Sequence, residues 1–242
     1  MKKLCAALIP ALILLMAGCA ANVGKYLVNV DSMQAPGTDD KKHFILFPGS
    51  KDTSSNDPQF REYAGYINRA LISRGFVPAE SVEQADLAIF VVYEIGDPQQ
   101  HPYTFSVPVM GYVDDSSMIS RTRDRRTTIY PPTYGIVDYT SEVGTYTTYL
   151  RFLVLDAIDL SEYKKSEKKI QLWKTTVTSR GSSDDLRRVF PIMVSASKPH
   201  IATNSGQQIN VEIDEDDPSV LEITGRTSAA ILRLGRTSGL PP

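Results

Sequence analysis

Ala85-Asp86-Leu87-Ala88-Ile89-Phe90-Val91-Val92-Tyr93-Glu94-Ile95-Gly96 constrains the fold of this chain more than any other stretch. After Asp86 it is apolar at successive positions of both parities, and it is rich in β-branched and aromatic side chains. A strand with one face in water alternates, so a run like this needs cover on both faces and belongs inside a sheet. It is expected to be the central strand. His43-Phe44-Ile45-Leu46-Phe47-Pro48, stopped by Pro-Gly, is a second buried strand. Between the two, Asp57-Pro58 is a helix start, with a capping carboxylate and a proline whose missing N–H is harmless at the first helical position. Phe60, Ala64, Ile67 and Leu71 recur at spacings of three and four, and Gly75 supplies the stop.

Further along, Gly144 to Leu160 alternates regularly and reads as a long strand. A charged turn at Lys164 to Lys169 then leads into a returning strand from Ile170 to Thr178, making a hairpin. Ser182 or Ser183 before Asp184-Asp185 caps a second helix, Leu186 to about Ala196, which Pro191 is expected to kink or to give an irregular first turn. Gln207 to Asp214 is a last strand. The fold class expected is α/β (α+β), a mixed, largely antiparallel sheet covered mainly by two helices and carrying a long Tyr/Pro/Arg-rich insertion. The core is expected at 43–214 with the insertion at 97–142. Residues 19–42 read as a tether, with Val23 to Val30 a candidate initial strand, and 215–242 as a weakly ordered C-terminal extension with a helical stretch around Ala229 to Leu234.

The N-terminus has its own signature. Lys2-Lys3 precede an apolar run from Leu4 to Met16, which is too short to span a bilayer, and the run ends in Met16-Ala17-Gly18-Cys19. This resembles the lipobox of bacterial lipoprotein precursors. The resemblance implies a signal peptide at 1–18, cleavage before Cys19, and diacylglycerol on the Cys19 thiol with an acylated amine, an anchor well past the reversible one-chain regime. Ala20 stands where an Asp would signal retention in the inner membrane, so the resemblance implies the periplasmic face of the outer membrane.

Only Cys5 and Cys19 exist, one in the leader and one lipidated, which excludes thiol catalysis, thiolate metal sites and disulfides. The chain has 26 Lys and Arg against 28 Asp and Glu, with Lys2 and Lys3 in the leader, and such a balance does not suit a general nucleic-acid binder. His43, His101 and His200 are far apart and make no metal-binding pair, and no cofactor or metal is expected. Neither a Gly-x-Ser-x-Gly elbow nor a Gly-x-x-x-x-Gly-Lys loop occurs. Asp86 reads as an acid at a strand entrance that accepts backbone hydrogen bonds, Ser182 to Asp185 as a helix cap, and Glu212 to Asp217 as a solvated acidic turn. The non-generic feature is the insertion, where Arg121, Arg123, Arg125 and Arg126 stand among Tyr112, Tyr130, Tyr134 and Tyr139. Guanidinium forks pair with carboxylate or phosphate and tyrosines add flat contact area, so these residues are the candidate surface for an envelope protein or an anionic envelope component.

The helix ending in Arg74-Gly75-Phe76, Ala85-Asp86-Leu87 opening an apolar strand, a hairpin carrying Leu172-Trp173-Lys174, and a Ser-Asp-Asp-Leu helix, in that order behind a lipobox, resemble a family of uncharacterised bacterial lipoproteins with no assigned activity. The resemblance covers about 43–97 and 144–214. A looser similarity is to small periplasmic α/β modules of translocation and secretion-assembly lipoproteins, which bind other envelope proteins. The function expected is a membrane-anchored periplasmic lipoprotein acting through binding or envelope assembly. The competing reading is a lipid-tethered hydrolase using Asp and Ser residues that only the fold brings together.

Overall fold

The computed structural model describes residues 24–38, 40–113 and 133–226. The lipobox with Cys19, and the expected helical stretch around Ala229 to Leu234, lie outside them. The chain divides into two compact units, Pro98–Thr148 and a body made of the segments on either side of it. The protein is a mixed α/β structure dominated by sheet. Among the described residues no helix is long and apolar enough to cross a membrane.

In the body, β1 (Lys25–Gln34), β2 (His43–Pro48), β3 (Val77–Pro78), β4 (Leu87–Ile95), the part of β6 (Thr133–Asp159) from Tyr149 onward, β7 (Gln171–Gly181) and β8 (Ile209–Asp214) form one sheet. The strand order is β3-β2-β4-β6-β7-β1-β8. Among the described residues only the β2–β3 and β2–β4 pairs are parallel, as expected where α1 (Pro58–Ser73) makes the crossover from β2. The 85–96 run is therefore an interior strand, flanked by β2 and β6, but β6 occupies the middle of the order.

One face of the sheet buries Val28 and Val30, Leu87, Ile89 and Val91, Leu153, Leu155 and Ala157, and Val177. Against it lie Phe60, Tyr63, Ile67 and Leu71 of α1 and the apolar residues of α3 (Leu186–Ser197), from Val189 to Ala196. The ring of Phe190 stacks on Tyr63 at a centroid distance of 3.8 Å. On the opposite face, Ala85, Ala88 and Leu160 form a separate small cluster with Phe90 packed beside them, which explains why β4 is apolar at both parities.

Asp57 caps α1 by accepting from the Gln59 N–H at 2.8 Å, and Gly75 takes the left-handed φ of +84° that ends it. Other expectations need correction. Residues 25–34 are not tether: β1 lies between β7 and β8, because Val28, Val30 and Ser32 alternate into the core while Leu27, Asn29 and Asp31 do not. The charged stretch after Asp159 is not a simple turn, since α2 (Leu160–Ser166) forms there with Asp159 accepting from the Glu162 N–H. The α3 cap is Asp185 rather than a serine, accepting from the Arg188 N–H, and Pro191 sits inside a helix that continues past it. The stretch after 214 holds α4 (Pro218–Thr224), capped by Asp217, whose Val220 and Ile223 enter the main core. Among the described residues, helical cover of that face thus comes from three helices, not mainly two.

Candidate partner-binding surface

The second unit begins at Pro98 and ends at Thr148, slightly beyond the insertion expected at 97–142. In it β5 (Gln99–Val113) pairs antiparallel with β6 from Thr133 to Thr148, with one irregularity between Val109 and Met110 that leaves Val137 unmatched. At about 3.3 Å per residue the ribbon is roughly 50 Å long. The alternation of His101, Tyr103, Phe105, Val107 and Val109 with polar or proline positions explains the strand.

The register sets the faces. His101, Tyr103 and Phe105 share one face with Tyr146, Gly144 and Glu142, while Thr104, Pro108, Met110 and Tyr112 share the other with Val143, Tyr139, Ile136 and Tyr134. His101 stacks on Tyr146 at 5.0 Å and its Nε2 lies 2.8 Å from the Thr148 hydroxyl. Tyr112 meets Tyr134 edge to face at 5.4 Å. The Tyr103 ring covers Gly144 so closely that a Cβ there would approach it to 2.6 Å. These contacts are all cross-strand or along one strand; two strands alone enclose no core. The outcome is exposure of large apolar side chains along the ribbon, including Tyr112 at 70%, Val143 at 73%, Tyr139, Tyr134 and Ile136.

Its two edges differ. Pro102 and Pro108 stand opposite Thr145 and Tyr139, at positions of one parity. A ladder bond there would need an N–H that proline lacks, so the bonds fall on the other parity and the prolines face the outer edge of β5. That edge is closed to further strand pairing. β6 has no proline between Thr133 and Thr148, and among the described residues no strand other than β5 pairs with it there.

Of the candidate binding residues, Tyr134 lies on this ribbon beside Tyr112; Arg121, Arg123, Arg125, Arg126 and Tyr130 fall outside the described residues, between the two strands in sequence. Sequence reasoning passed over Tyr103, Phe105, Val143 and Tyr146 as individual contributors, although their alternation was visible.

The other candidates resolve into structural roles. Asp86 accepts from the His43 N–H, as expected at a strand entrance, and its Oδ2 also lies 3.0 Å from His43 Nδ1. The parallel register of Phe44 with Leu87 places these two side by side, and among the described residues no hydroxyl is hydrogen-bonded to either. Asp217 caps α4 through the Ser219 N–H and hydroxyl, and Ser219 in turn accepts from the buried Ser195, so this Asp/Ser cluster is a helix start. Those hydrogen bonds hold the Asp217 carboxyl below its ordinary range. Glu215 is bound in bidentate fashion by Arg188, which lowers its pKa, rather than lying free in an acidic turn. Among the described residues no group of three His, Cys, Asp or Glu could hold a metal.

No family model matches the chain, and no curated protein sequence matches it. Among solved structures, a PDZ domain protein from Parabacteroides distasonis ATCC 8503 is similar over 79% of this chain and 40% of that one, at 14% identity and a TM-score of 0.37. A likeness of that size does not define a shared fold.

Proposed function

We propose that this is a lipid-anchored periplasmic lipoprotein of the outer membrane whose ribbon binds another component of the cell envelope. The observation that carries the reading is the ribbon: a long, aromatic, exposed pair of strands without a core of its own, with one edge closed by prolines and one open. Surfaces of this kind mark interaction sites rather than solvated loops. Aromatic side chains with polar tips supply contact area at low entropic expense, and the Arg121, Arg123, Arg125 and Arg126 cluster with Tyr130 and Tyr134 adds recognition of carboxylate or phosphate. The resemblance of Met16 to Cys19 to a lipobox, and of the 43–97 and 144–214 segments to uncharacterised lipoproteins, supports the anchor and the compartment.

The test places a photo-crosslinking residue at Tyr112, Tyr134 or, as control, exposed Ile72 of α1 in the full chain in intact cells. Discrete adducts from the ribbon positions and none from Ile72 are expected; the reverse, or no adduct from the ribbon, overturns the reading. Cys19→Ala is expected to abolish palmitate labelling and release the protein from membranes, and a variant that still fractionates with membranes would remove the anchor.

A further inference from the structure

A cavity of about 250 Å³ opens in the body, lined in part by Thr38, Lys42, Arg74, Phe76, Trp173 and Thr203. It lies where the end of β1, the lead into β2, the C-terminus of α1 and β7 converge. Three features set it apart. Among the described residues its lining carries two cationic side chains and no carboxylate, and neither Lys42 nor Arg74 forms an ion pair. Lys42 is instead held over the Phe76 ring, its Nζ 4.6 Å from the centroid, which orients the ammonium without neutralising it. The Trp173 indole is the second feature.

Trp173 is 3% exposed and packs against Phe76 at 6.1 Å between ring centroids, yet among the described residues its N–H has no acceptor. Buried indole N–H groups normally find a partner. No fully buried side-chain nitrogen or oxygen is left unpartnered among the described residues, so the indole N–H keeps a sliver of accessible surface, and Trp173 is one of the residues that line this cavity. The third feature is in the wall, where Ala202 holds a left-handed φ of +52°, a conformation that a residue with a Cβ rarely adopts.

We propose that this cavity binds a small molecule through an oxyanion, a carboxylate or phosphate group, received by Lys42, Arg74 and the Trp173 indole N–H. The lining supplies donors and positive charge from three separate elements, the combination that pairs with such a group. The volume is below the roughly 300–1,000 Å³ of drug-sized ligand sites, so the ligand is small or only its anionic head enters. Thr203 already donates to the His200 carbonyl at 2.8 Å, which leaves its oxygen free to accept from a ligand hydroxyl.

Trp173 is the chain's sole tryptophan, so its indole resonance and fluorescence report on this cavity alone. Full-length protein in neutral detergent is titrated with inorganic phosphate, with acetate, and with phosphatidic acid in mixed micelles, at constant ionic strength set with chloride. A saturable shift of the indole N–H resonance with a soluble anion identifies a free small-molecule oxyanion. Saturation with phosphatidic acid alone identifies a lipid headgroup. In either case Lys42→Gln combined with Arg74→Gln is expected to weaken binding at least tenfold with an unchanged melting temperature. Trp173→Phe, followed by calorimetry, is expected to weaken it less. The proposal is overturned if none of the three probes gives a saturable shift, or if the double variant binds as the parent does. Should that variant unfold, Lys42→Gln and Arg74→Gln are measured singly, and parental affinity in both overturns it equally.

Discussion

From Tyr149 onward β6 turns Arg151, Leu153, Leu155 and Ala157 into a core that buries all four, whereas before Thr148 the same strand keeps Tyr134, Tyr139 and Val143 in solvent. The local pattern is alike in both halves, with alternating side chains, an antiparallel neighbour and cross-strand pairs. What differs is the presence of a second layer. In the body, α1, α3 and α4 close over the sheet; among the described residues the ribbon has only its two strands, so its apolar residues stay available. A core truncation should therefore cost the body far more than loss of an exposed side chain costs the ribbon.

The largest effect is expected at Phe190, which is fully buried between Tyr63 and Tyr93. Phe190→Ala should lower unfolding stability by about 3–5 kcal/mol, through lost transfer energy and the cavity left behind. Chemical denaturation followed by circular dichroism measures it. A loss under about 1 kcal/mol would mean that the helical layer is not what holds the sheet.

Arg151 should come next. It is 1% exposed in the core face of β6 and among the described residues has no carboxylate partner; its guanidinium donates to the Ser179 and Ser183 carbonyls and the Ser179 hydroxyl. Burial pushes its pKa down, opposed by Tyr26. These bonds tie the end of β7 and the lead into α3 to β6, and a Cβ at Gly181 would come within 2.7 Å of Nη2, so a side chain there would displace the guanidinium. Arg151→Ala should cost about 2–4 kcal/mol, and Arg151→Met, which fills the volume without a buried charge, should cost less. Equal losses in the two would show that the hydrogen bonds rather than the packing carry the effect.

Acid should also act on the body first. Burial pushes the Asp159 carboxyl up, but the Lys41 hydrogen bond, the Glu162 N–H and the Lys41 charge outweigh it and hold the group below its ordinary value. Glu62 and Glu215 are lowered chiefly by Arg187 and Arg188. A carboxylate with a depressed folded pKa contributes stability that is present above its unfolded pKa and lost as pH falls through the folded one. Melting temperature should thus be flat near neutrality and fall below the ordinary carboxylate range. Asp159→Asn, which keeps a capping side chain, should flatten that fall; an unchanged acid limb would remove Asp159 from the account.

Much of the body was legible in the chain. Asp57-Pro58 and Gly75 bracket α1 because caps are local chemistry, and the apolar runs at 43–48 and 87–95 are strands because no other element buries such runs at that length. The same Asp-Pro signature at Asp217-Pro218 announces α4, but it was obscured by the acidic stretch before it, and the contribution of Val220 and Ile223 to the core is a tertiary fact. Asp159 with Glu162 three residues on is likewise a helix start, hidden behind the alternation of β6. At the candidate surface the tyrosines were visible as composition, and their shared faces depend on a register that only strand pairing sets. The oxyanion cavity was not legible at all, since Lys42, Arg74 and Trp173 are far apart in sequence and Leu172-Trp173-Lys174 reads as ordinary strand.

The smallest effect sharpens the contrast most. Val143 and Tyr112 share one ribbon face, each more than two-thirds exposed, and Tyr112 has Tyr134 as its ring neighbour. Tyr112→Ala and Val143→Thr remove apolar area that is already in water, so each should change the global melting free energy by less than about 0.5 kcal/mol. A cross-strand aromatic pair adds about 0.2–1 kcal/mol to local strand pairing, so Tyr112→Ala should speed amide exchange in the ribbon without altering exchange in β4 or β7. If Tyr112→Ala instead lowered the stability of the body by as much as Phe190→Ala, the ribbon would be part of the cooperative core, and its exposed side chains would have to be read as packing rather than as a surface kept for a partner.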